Sequence, residues 1–132
     1  MRVLLDTNVL IAAFATRGLC ADVLRTVLSE HELVVGATVL VELQRVLVAK
    51  LQLRDIQAKK IVSFVRDQAE VITAEQPAAL PSTDNDDQWV LAAAVAGKVD
   101  VLVTGDQDLL NVAGKVEVPI VTPRGFWEQL KS

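Results

Sequence analysis

Residues 2–8 read RVLLDTN, a short apolar run that ends in a carboxylate and an amide. Residues 3–5 are typical of a buried β-strand, and the apolar residues that come next have the spacing of a helix. Asp6 therefore stands at the carboxyl end of a strand, the edge at which open α/β sheets bind their ligands. Residues 101–108, VLVTGDQD, repeat this arrangement, because carboxylates again follow an apolar strand. Two such junctions predict a ligand site at one edge of an α/β sheet.

The rest of the chain alternates in the same way between short β-branched runs and longer segments of helical period. This alternation is typical of repeated βα units around a parallel sheet. We expect strands at residues 2–5, 33–35, 70–73, 101–103 and 119–121. We expect helices at residues 8–15, 21–29, 54–69 and 89–96, and a further helix that begins at an N-cap on Thr38 and continues to about residue 51.

Length and composition favour one folded domain. A chain of 132 residues, 52% of them hydrophobic, has the size of a single domain, which we expect to span residues 1–132. Its apolar runs at residues 9–15 and 89–96 are shorter than the roughly 18 to 20 residues that cross a bilayer. Since Asp6 interrupts the first apolar run, no export signal is recognisable. We therefore expect a cytoplasmic protein with no membrane partner.

The scarcity of cysteine and histidine restricts the chemistry. Cys20 is the only cysteine and His31 the only histidine, which excludes an intramolecular disulfide, a cysteine-rich metal site and catalysis by a histidine pair. The net charge of −4 argues against binding of nucleic acid by overall attraction. Carboxylates gathered around bound cations would nevertheless leave a site that accepts a phosphate.

Acids follow strands or open helices at four places in the chain. These are Asp6, Glu42 within the Thr38 helix, the run DNDD at residues 84–87, and Asp106. Each has a purely structural alternative, either as an N-cap or as a carboxylate stabilised by a helix dipole. A parallel sheet, however, brings the carboxyl ends of its strands to one edge, so these acids can converge in one cleft.

A cluster of ionised carboxylates is unfavourable without a counter-charge. Two of them about 4 Å apart repel each other by roughly 4 kcal/mol at an effective dielectric constant near 20. Bound cations remove this conflict, and all the candidate ligands are hard oxygen atoms. Because no cysteine or histidine is among them, the implied ion is Mg²⁺ or Mn²⁺ rather than Zn²⁺ or Cu²⁺. The pattern therefore indicates phosphate chemistry.

Taken in order, the acidic motifs resemble those of the PIN-domain ribonucleases. The resemblance covers nearly the whole chain and rests on four segments: residues 4–11, LLDTNVLI; 38–43, TVLVEL; 84–87, DNDD; and 102–110, LVTGDQDLL. It is strongest toward small PIN proteins of the VapC type, the toxins of toxin–antitoxin pairs. The resemblance implies a three-layer α/β/α sandwich with a central parallel sheet of four to five strands. It also implies an endoribonuclease that hydrolyses RNA phosphodiester bonds with Mg²⁺ or Mn²⁺.

The resemblance further implies roles for individual residues. It makes four acids the metal ligands and catalytic residues: Asp6, Glu42, Asp87 and Asp106. Supporting roles fall to four polar residues: Asn8, Thr104, Asp84 and Asp108. Asp86 stays open as the alternative to Asp87. Similar proteins also imply an RNA substrate, a small antitoxin protein as partner, and a homodimer.

Other interpretations stay open at this point. A PIN fold that has lost catalysis and acts only as a binding module would keep the same pattern. A haloacid-dehalogenase-like phosphatase also begins with an aspartate after its first strand, but it needs a second aspartate where Asn8 stands. Basic residues that could guide an RNA strand are Arg17, Arg45, Lys59 and Lys60. Phe126 and Trp127 either anchor the last helix in the core or contribute to a dimer interface.

Overall fold

The computed structural model, which describes residues 1–79 and 85–131, contains a sheet of five strands that pair in parallel throughout. The strands are β1 (Arg2–Leu5), β2 (Glu32–Gly36), β3 (Glu70–Ile72), β4 (Val101–Val103) and β5 (Ile120–Val121). The helices of the described residues are α1 (Thr7–Ala15), α2 (Leu19–Glu30), α3 (Ala37–Ala49), α4 (Asp55–Gln68), α5 (Asn85–Ala96), α6 (Gln107–Asn111) and α7 (Pro123–Lys131). They flank the sheet, so the molecule has the expected three-layer α/β/α architecture.

The strand order places β1 at the centre of the sheet and creates a natural ligand site beside it. The order across the sheet is β3-β2-β1-β4-β5. The chain moves outward from β1 to β3 and then returns to the other side of β1 as β4. Doubly wound sheets bind ligands where the strand order reverses in this way. Leu5 pairs with Val103 at the ends of β1 and β4, so Asp6 and Thr104 emerge next to each other.

Aliphatic side chains from the sheet and the surrounding helices form the core. Fully buried examples are Leu4, Val34, Leu102, Leu10, Leu43 and Phe126. The near-continuous burial of the central strands is typical of parallel sheets that are covered on both faces. Because Phe126 is fully buried, it anchors α7 in the core, which is the first of the two roles proposed for it from the sequence. Trp127 packs against the same core and is partly exposed.

All five predicted strands are present, with boundaries within one residue of those expected. The predicted N-cap at Thr38 is wrong. Gly36 ends β2 with extended backbone and is itself the N-cap, so α3 begins at Ala37 and Thr38 lies in its first turn. Helix α3 also ends at Ala49, two residues before the expected end.

Helix α5 begins four residues before its predicted start, at Asn85. The apolar periodicity identifies only the part of the helix from residue 89 onward, because the first turn is polar. Asp86 and Asp87 therefore belong to the first turn of α5, where the helix dipole favours negative charge.

Arg2 joins three elements at the amino edge of the sheet, opposite the carboxyl ends of the strands. Its Nη1 donates to Glu32 Oε2 at 2.9 Å and to Glu70 Oε2 at 2.6 Å. Its Nε and Nη2 both donate to the carbonyl oxygen of Gly97. These contacts link the starts of β1, β2 and β3 to the segment that leads into β4.

None of the described helices is by itself long and apolar enough to cross a membrane. Helices α1 and α2 reach the required length and hydropathy only as a pair, and they are bent by 106° at the break between them. Both bury apolar side chains in the core, including Val9 of α1 and Val23 of α2.

Candidate metal centre

Asp6 lies at the centre of a hydrogen-bond network where β1 passes into α1. The residue is 5% exposed and is the N-cap of α1, with Oδ1 accepting a 2.8 Å hydrogen bond from the backbone N–H of Thr7. Its Oδ2 accepts hydrogen bonds from Thr104 Oγ1 at 2.8 Å and from Asn8 Nδ2 at 3.0 Å. Asp6 therefore does cap α1, as the purely structural interpretation proposed. The same contacts also hold its carboxylate in one orientation.

Asn8 and Thr104 connect this network to the loop between β4 and α6. Asn8 Oδ1 accepts a 2.8 Å hydrogen bond from Gly105 N, and Thr104 Oγ1 accepts a 3.0 Å hydrogen bond from Asp106 N. A Cβ atom on residue 105 would lie 3.3 Å from Asn8 Oδ1, so glycine permits the close approach. Both residues thus support the acids at the ends of β1 and β4.

Three further carboxylates approach one another beside this network. Asp87 is almost fully buried, Asp106 is the N-cap of α6, and Asp106 Oδ1 accepts a 2.8 Å hydrogen bond from Asp108 N. One carboxylate oxygen from each of Asp87, Asp106 and Asp108 lies within 4.8 Å of the other two. Such a group of oxygen atoms suits a hard divalent cation.

The four acids proposed as ligands from the sequence all line one cavity of about 340 Å³. We call it the acidic cavity and define it by Asp6, Glu42, Asp86, Asp87, Asp106 and Lys50. Asp87 is buried in its wall, whereas Asp86 is exposed. Asp84, the remaining supporting acid, lies outside the described residues.

The environment of Asp6 disfavours its charge in the absence of a cation. Burial raises the pKa of Asp6 above its ordinary value, although hydrogen bonds from Thr104, Thr7 and Asn8 act in the opposite direction. The nearby charge of Asp106 raises this pKa further. A divalent cation would relieve both effects, and the oxygen-only donor set around Asp6 fits Mg²⁺ or Mn²⁺.

Sequence reasoning missed two polar residues of the acidic cavity. Lys50 lines it, and it could have been found because Glu42, residue 46 and Lys50 recur every four positions along α3 and its C-cap. Thr7 also lines it, and among the described residues its buried Oγ1 has no hydrogen-bond partner. The basic residues proposed as RNA guides, Arg17, Arg45, Lys59 and Lys60, are not among the described residues that line this cavity.

A family model described as a PIN domain matches residues 2–108, a span that includes every acid of the cavity. The chain belongs to the PIN domain family. The match to the PIN domain model excludes the alternative interpretation as a haloacid-dehalogenase-like phosphatase. None of the curated proteins matches the chain.

Solved structures of toxin–antitoxin complexes have the same fold. VapBC2 from Rickettsia felis, bound to a DNA fragment from its promoter, matches with a TM-score of 0.65 and 16% identity over 92% of this chain and 98% of its own. VapBC-1 from nontypeable Haemophilus influenzae matches with a TM-score of 0.68 and 17% identity over 94% and 99%. A toxin–antitoxin complex from Klebsiella pneumoniae matches with a TM-score of 0.65 and 21% identity over 92% and 97%. At these identities the likeness concerns the fold.

Proposed function

We propose that this chain is a Mg²⁺- or Mn²⁺-dependent endoribonuclease and the toxin of a toxin–antitoxin pair. The observation that carries the proposal is the acidic cavity, because four acids from separate elements converge where the strand order of a PIN fold reverses. Ionised carboxylates brought this close together repel one another, so their convergence favours a site built for cations.

Four residues would hold the ion: Asp6, Glu42, Asp87 and Asp106. Asp108 is the neighbouring oxygen donor, since its carboxylate lies within the Asp87 and Asp106 group. A divalent ion bound there supplies Lewis-acid chemistry, which polarises a phosphodiester and lowers the pKa of water.

The protein's own groups orient the reaction. The carboxylate of Asp6, which is fixed at the end of β1, sets the position of the ion relative to the sheet. Glu42 and Asp87 hold the attacking water in line with the scissile bond. The water gives up a proton as its oxygen forms a bond to phosphorus, the bond from phosphorus to the 3′ oxygen breaks, and that oxygen takes up a proton. The products therefore carry a 5′-phosphate and a 3′-hydroxyl group.

Lys50 gives the acidic cavity a positive charge from the protein itself. Lys50 is the C-cap of α3 and lines the same cavity as Glu42, which suits contact with a phosphate next to the bond that is cut. Phosphate contacts of this kind position a strand without reading its sequence.

The toxin role implies a small antitoxin protein that binds this chain, and the family resemblance implies a homodimer. The structural neighbours support the first part of this proposal, since they are complexes of a toxin with its antitoxin. Growth arrest on expression of the chain, relieved by co-expression of a small protein encoded next to it, would support the toxin role. Light scattering of the purified protein measures its oligomeric state.

The test of the nuclease is cleavage of a mixed pool of structured and unstructured RNAs in Mg²⁺, in Mn²⁺ and in EDTA, with the cut ends mapped. The variants Asp6→Asn and Asp87→Asn remove acids of the cavity. Asp67→Asn is the matched control, because it removes the same charge from an exposed position of α4. We expect cleavage that requires metal, is lost in the two cavity variants and is kept in the control.

Cleavage that persists in EDTA, or in either cavity variant, would contradict the proposed mechanism. If no RNA is cut, calorimetric titration with Mn²⁺ separates a nuclease of narrow specificity from an inactive binding module. Binding of Mn²⁺ to the wild type but not to Asp87→Asn supports the nuclease, and the absence of binding supports the module.

A further inference from the structure

A second cavity of about 350 Å³ opens beside the acidic cavity. We call it the Trp89 cavity; the residues that distinguish it are Thr38, Val41, Arg45, Asn85 and Trp89. Glu42 and Asp86 line both cavities, so the two lie next to each other. A molecule that reaches the proposed metal ligands can therefore extend into the Trp89 cavity.

The walls of the Trp89 cavity combine groups that suit a flat, uncharged ring. Trp89 is half-buried and supplies an aromatic surface, and Val41, which is 73% exposed, supplies an apolar one. The exposed carboxylate of Asp86, which lies outside the proposed ligand set, disfavours a phosphate within this cavity. The Arg45 guanidinium is exposed, where it can meet a phosphate at the rim.

We propose that the Trp89 cavity receives one unstacked base of a single-stranded RNA, next to the phosphodiester that is cut. This inference rests on the proposed nuclease function and names the position at which that nuclease discriminates among nucleotides. Single-stranded RNA is recognised through splayed bases that stack on aromatic side chains or on arginine. Arg45 contacts the phosphate that flanks the stacked base.

The adjacency of the two cavities favours a base over the side chain of a protein partner. A nucleotide carries its base and its phosphate on the same sugar, so one substrate fills an aromatic cavity and an adjoining metal site together. The cavity also presents polar groups at its edge, the Thr38 hydroxyl and the Asn85 amide, which match the donors and acceptors on a base.

Tryptophan fluorescence with cleavage-resistant oligomers in Mg²⁺ tests the stacking without requiring cleavage. The probes are short single-stranded RNA oligomers and abasic oligomers of the same length. The chain has two tryptophans, and Trp127 of α7 lines neither cavity. We expect the base-bearing oligomers to quench the emission more strongly than the abasic ones, and we expect the difference to disappear in Trp89→Phe but to persist in Trp127→Phe.

Mapping of the cut sites tests the role in specificity. In the presence of Mn²⁺, Trp89→Ala should relax the preference for the base at one position beside the cut by on the order of 10-fold. Arg45→Gln removes only a phosphate contact, so it should weaken RNA binding without changing that preference. Trp89→Phe should retain most of the preference, because its ring still stacks, and Trp127→Phe should match the wild type. Circular dichroism establishes that each variant is folded.

The outcomes separate this inference from the proposed function. Base-dependent quenching through Trp89 without any cleavage would support the cavity and contradict the nuclease. Cleavage with an unchanged preference in Trp89→Ala, or equal quenching by abasic and base-bearing oligomers, would overturn the inference and leave the nuclease intact. Quenching of Trp89 by peptides but not by RNA would overturn it in favour of a protein partner.

Discussion

The hydroxyl group of Thr104 donates a 2.8 Å hydrogen bond to Oδ2 of Asp6, although the two residues stand 98 positions apart in the chain. The same hydroxyl oxygen accepts a 3.0 Å hydrogen bond from the backbone N–H of Asp106. Thr104 is fully buried, so water does not compete for these contacts. One side chain thus fixes the acid after β1 relative to the acid after β4.

Replacing Thr104 by valine should destabilise the protein by about 1 to 3 kcal/mol, because the buried Asp6 carboxylate loses a donor while the shape is kept. Urea denaturation measures the effect. Thr104→Ser retains the hydroxyl and is the matched control, which we expect to lose less stability. Equal losses in the two variants would contradict the role of the hydrogen bond.

The raised pKa of Asp6 predicts a pH dependence of stability in metal-free buffer. An acid whose pKa is higher in the folded state stabilises that state fully below its unfolded value of about 3.9, and this contribution is lost as the pH rises through the folded value. The wild type should therefore lose stability relative to Asp6→Asn as the pH rises above about 4 and through the raised pKa of Asp6. Thermal unfolding in EDTA measures the difference, and Asp67→Asn should instead follow the wild type. A constant difference between the wild type and Asp6→Asn across this range would contradict the shifted pKa.

Divalent cations should stabilise the folded protein through the acidic cavity. At a Mn²⁺ concentration of 100 times the dissociation constant, we expect the free energy of unfolding to increase by about 2.7 kcal/mol. The gain should fall in Asp87→Asn and Asp106→Asn, persist in Asp67→Asn and disappear on addition of EDTA. Differential scanning fluorimetry measures each case. An equal gain in all the variants would place the binding of Mn²⁺ elsewhere on the protein.

Gly36 should matter because β2 approaches α5 closely at this position. A Cβ atom on residue 36 would lie 3.0 Å from Cβ of Ala93, so Gly36→Ala requires Ala93 of α5, the helix that carries Asp87, to give way by a few tenths of an ångström. We expect a loss of about 1 to 3 kcal/mol from overpacking and weaker binding of Mn²⁺. The double variant Gly36→Ala with Ala93→Gly removes the clash and should recover part of the Mn²⁺ affinity, even though glycine costs about 1 kcal/mol in a helix. Unchanged Mn²⁺ affinity in Gly36→Ala would show that α5 does not transmit the strain to Asp87.

Arg2 lies at the opposite edge of the sheet and should affect stability alone. Arg2→Gln removes two ion pairs and the paired hydrogen bonds to Gly97 O, for an expected loss of about 1 to 3 kcal/mol. Chemical denaturation measures the loss, and calorimetry should find the Mn²⁺ affinity of the folded variant unchanged. A large fall in that affinity would show that the two edges of the sheet are coupled.

Local patterns in the sequence identified the strands and most helices. A strand of three to five apolar residues and the helix after it depend on neighbours a few positions away, so β1, β4 and the acids that follow them were recognisable. Local rules misplaced the start of α3, because Gly36 rather than Thr38 is its N-cap. They also placed the start of α5 four residues late, since apolar periodicity begins only at residue 89, although the run DNDD was recognised as opening this helix.

The sequence by itself determined that carboxylates follow two strands of a parallel sheet and that their ligand atoms are oxygens. Only the tertiary structure decided that Asp87 is buried in the cavity wall while Asp86 is exposed, that Lys50 enters the acidic cavity, and that Trp89 lines an adjoining one. The physical reason is that an acid within a few residues of the end of a strand has its position relative to that strand set by the local sequence. Distances between acids on different elements depend instead on the register of β1 with β4 and on the packing of α3 and α5 against the sheet.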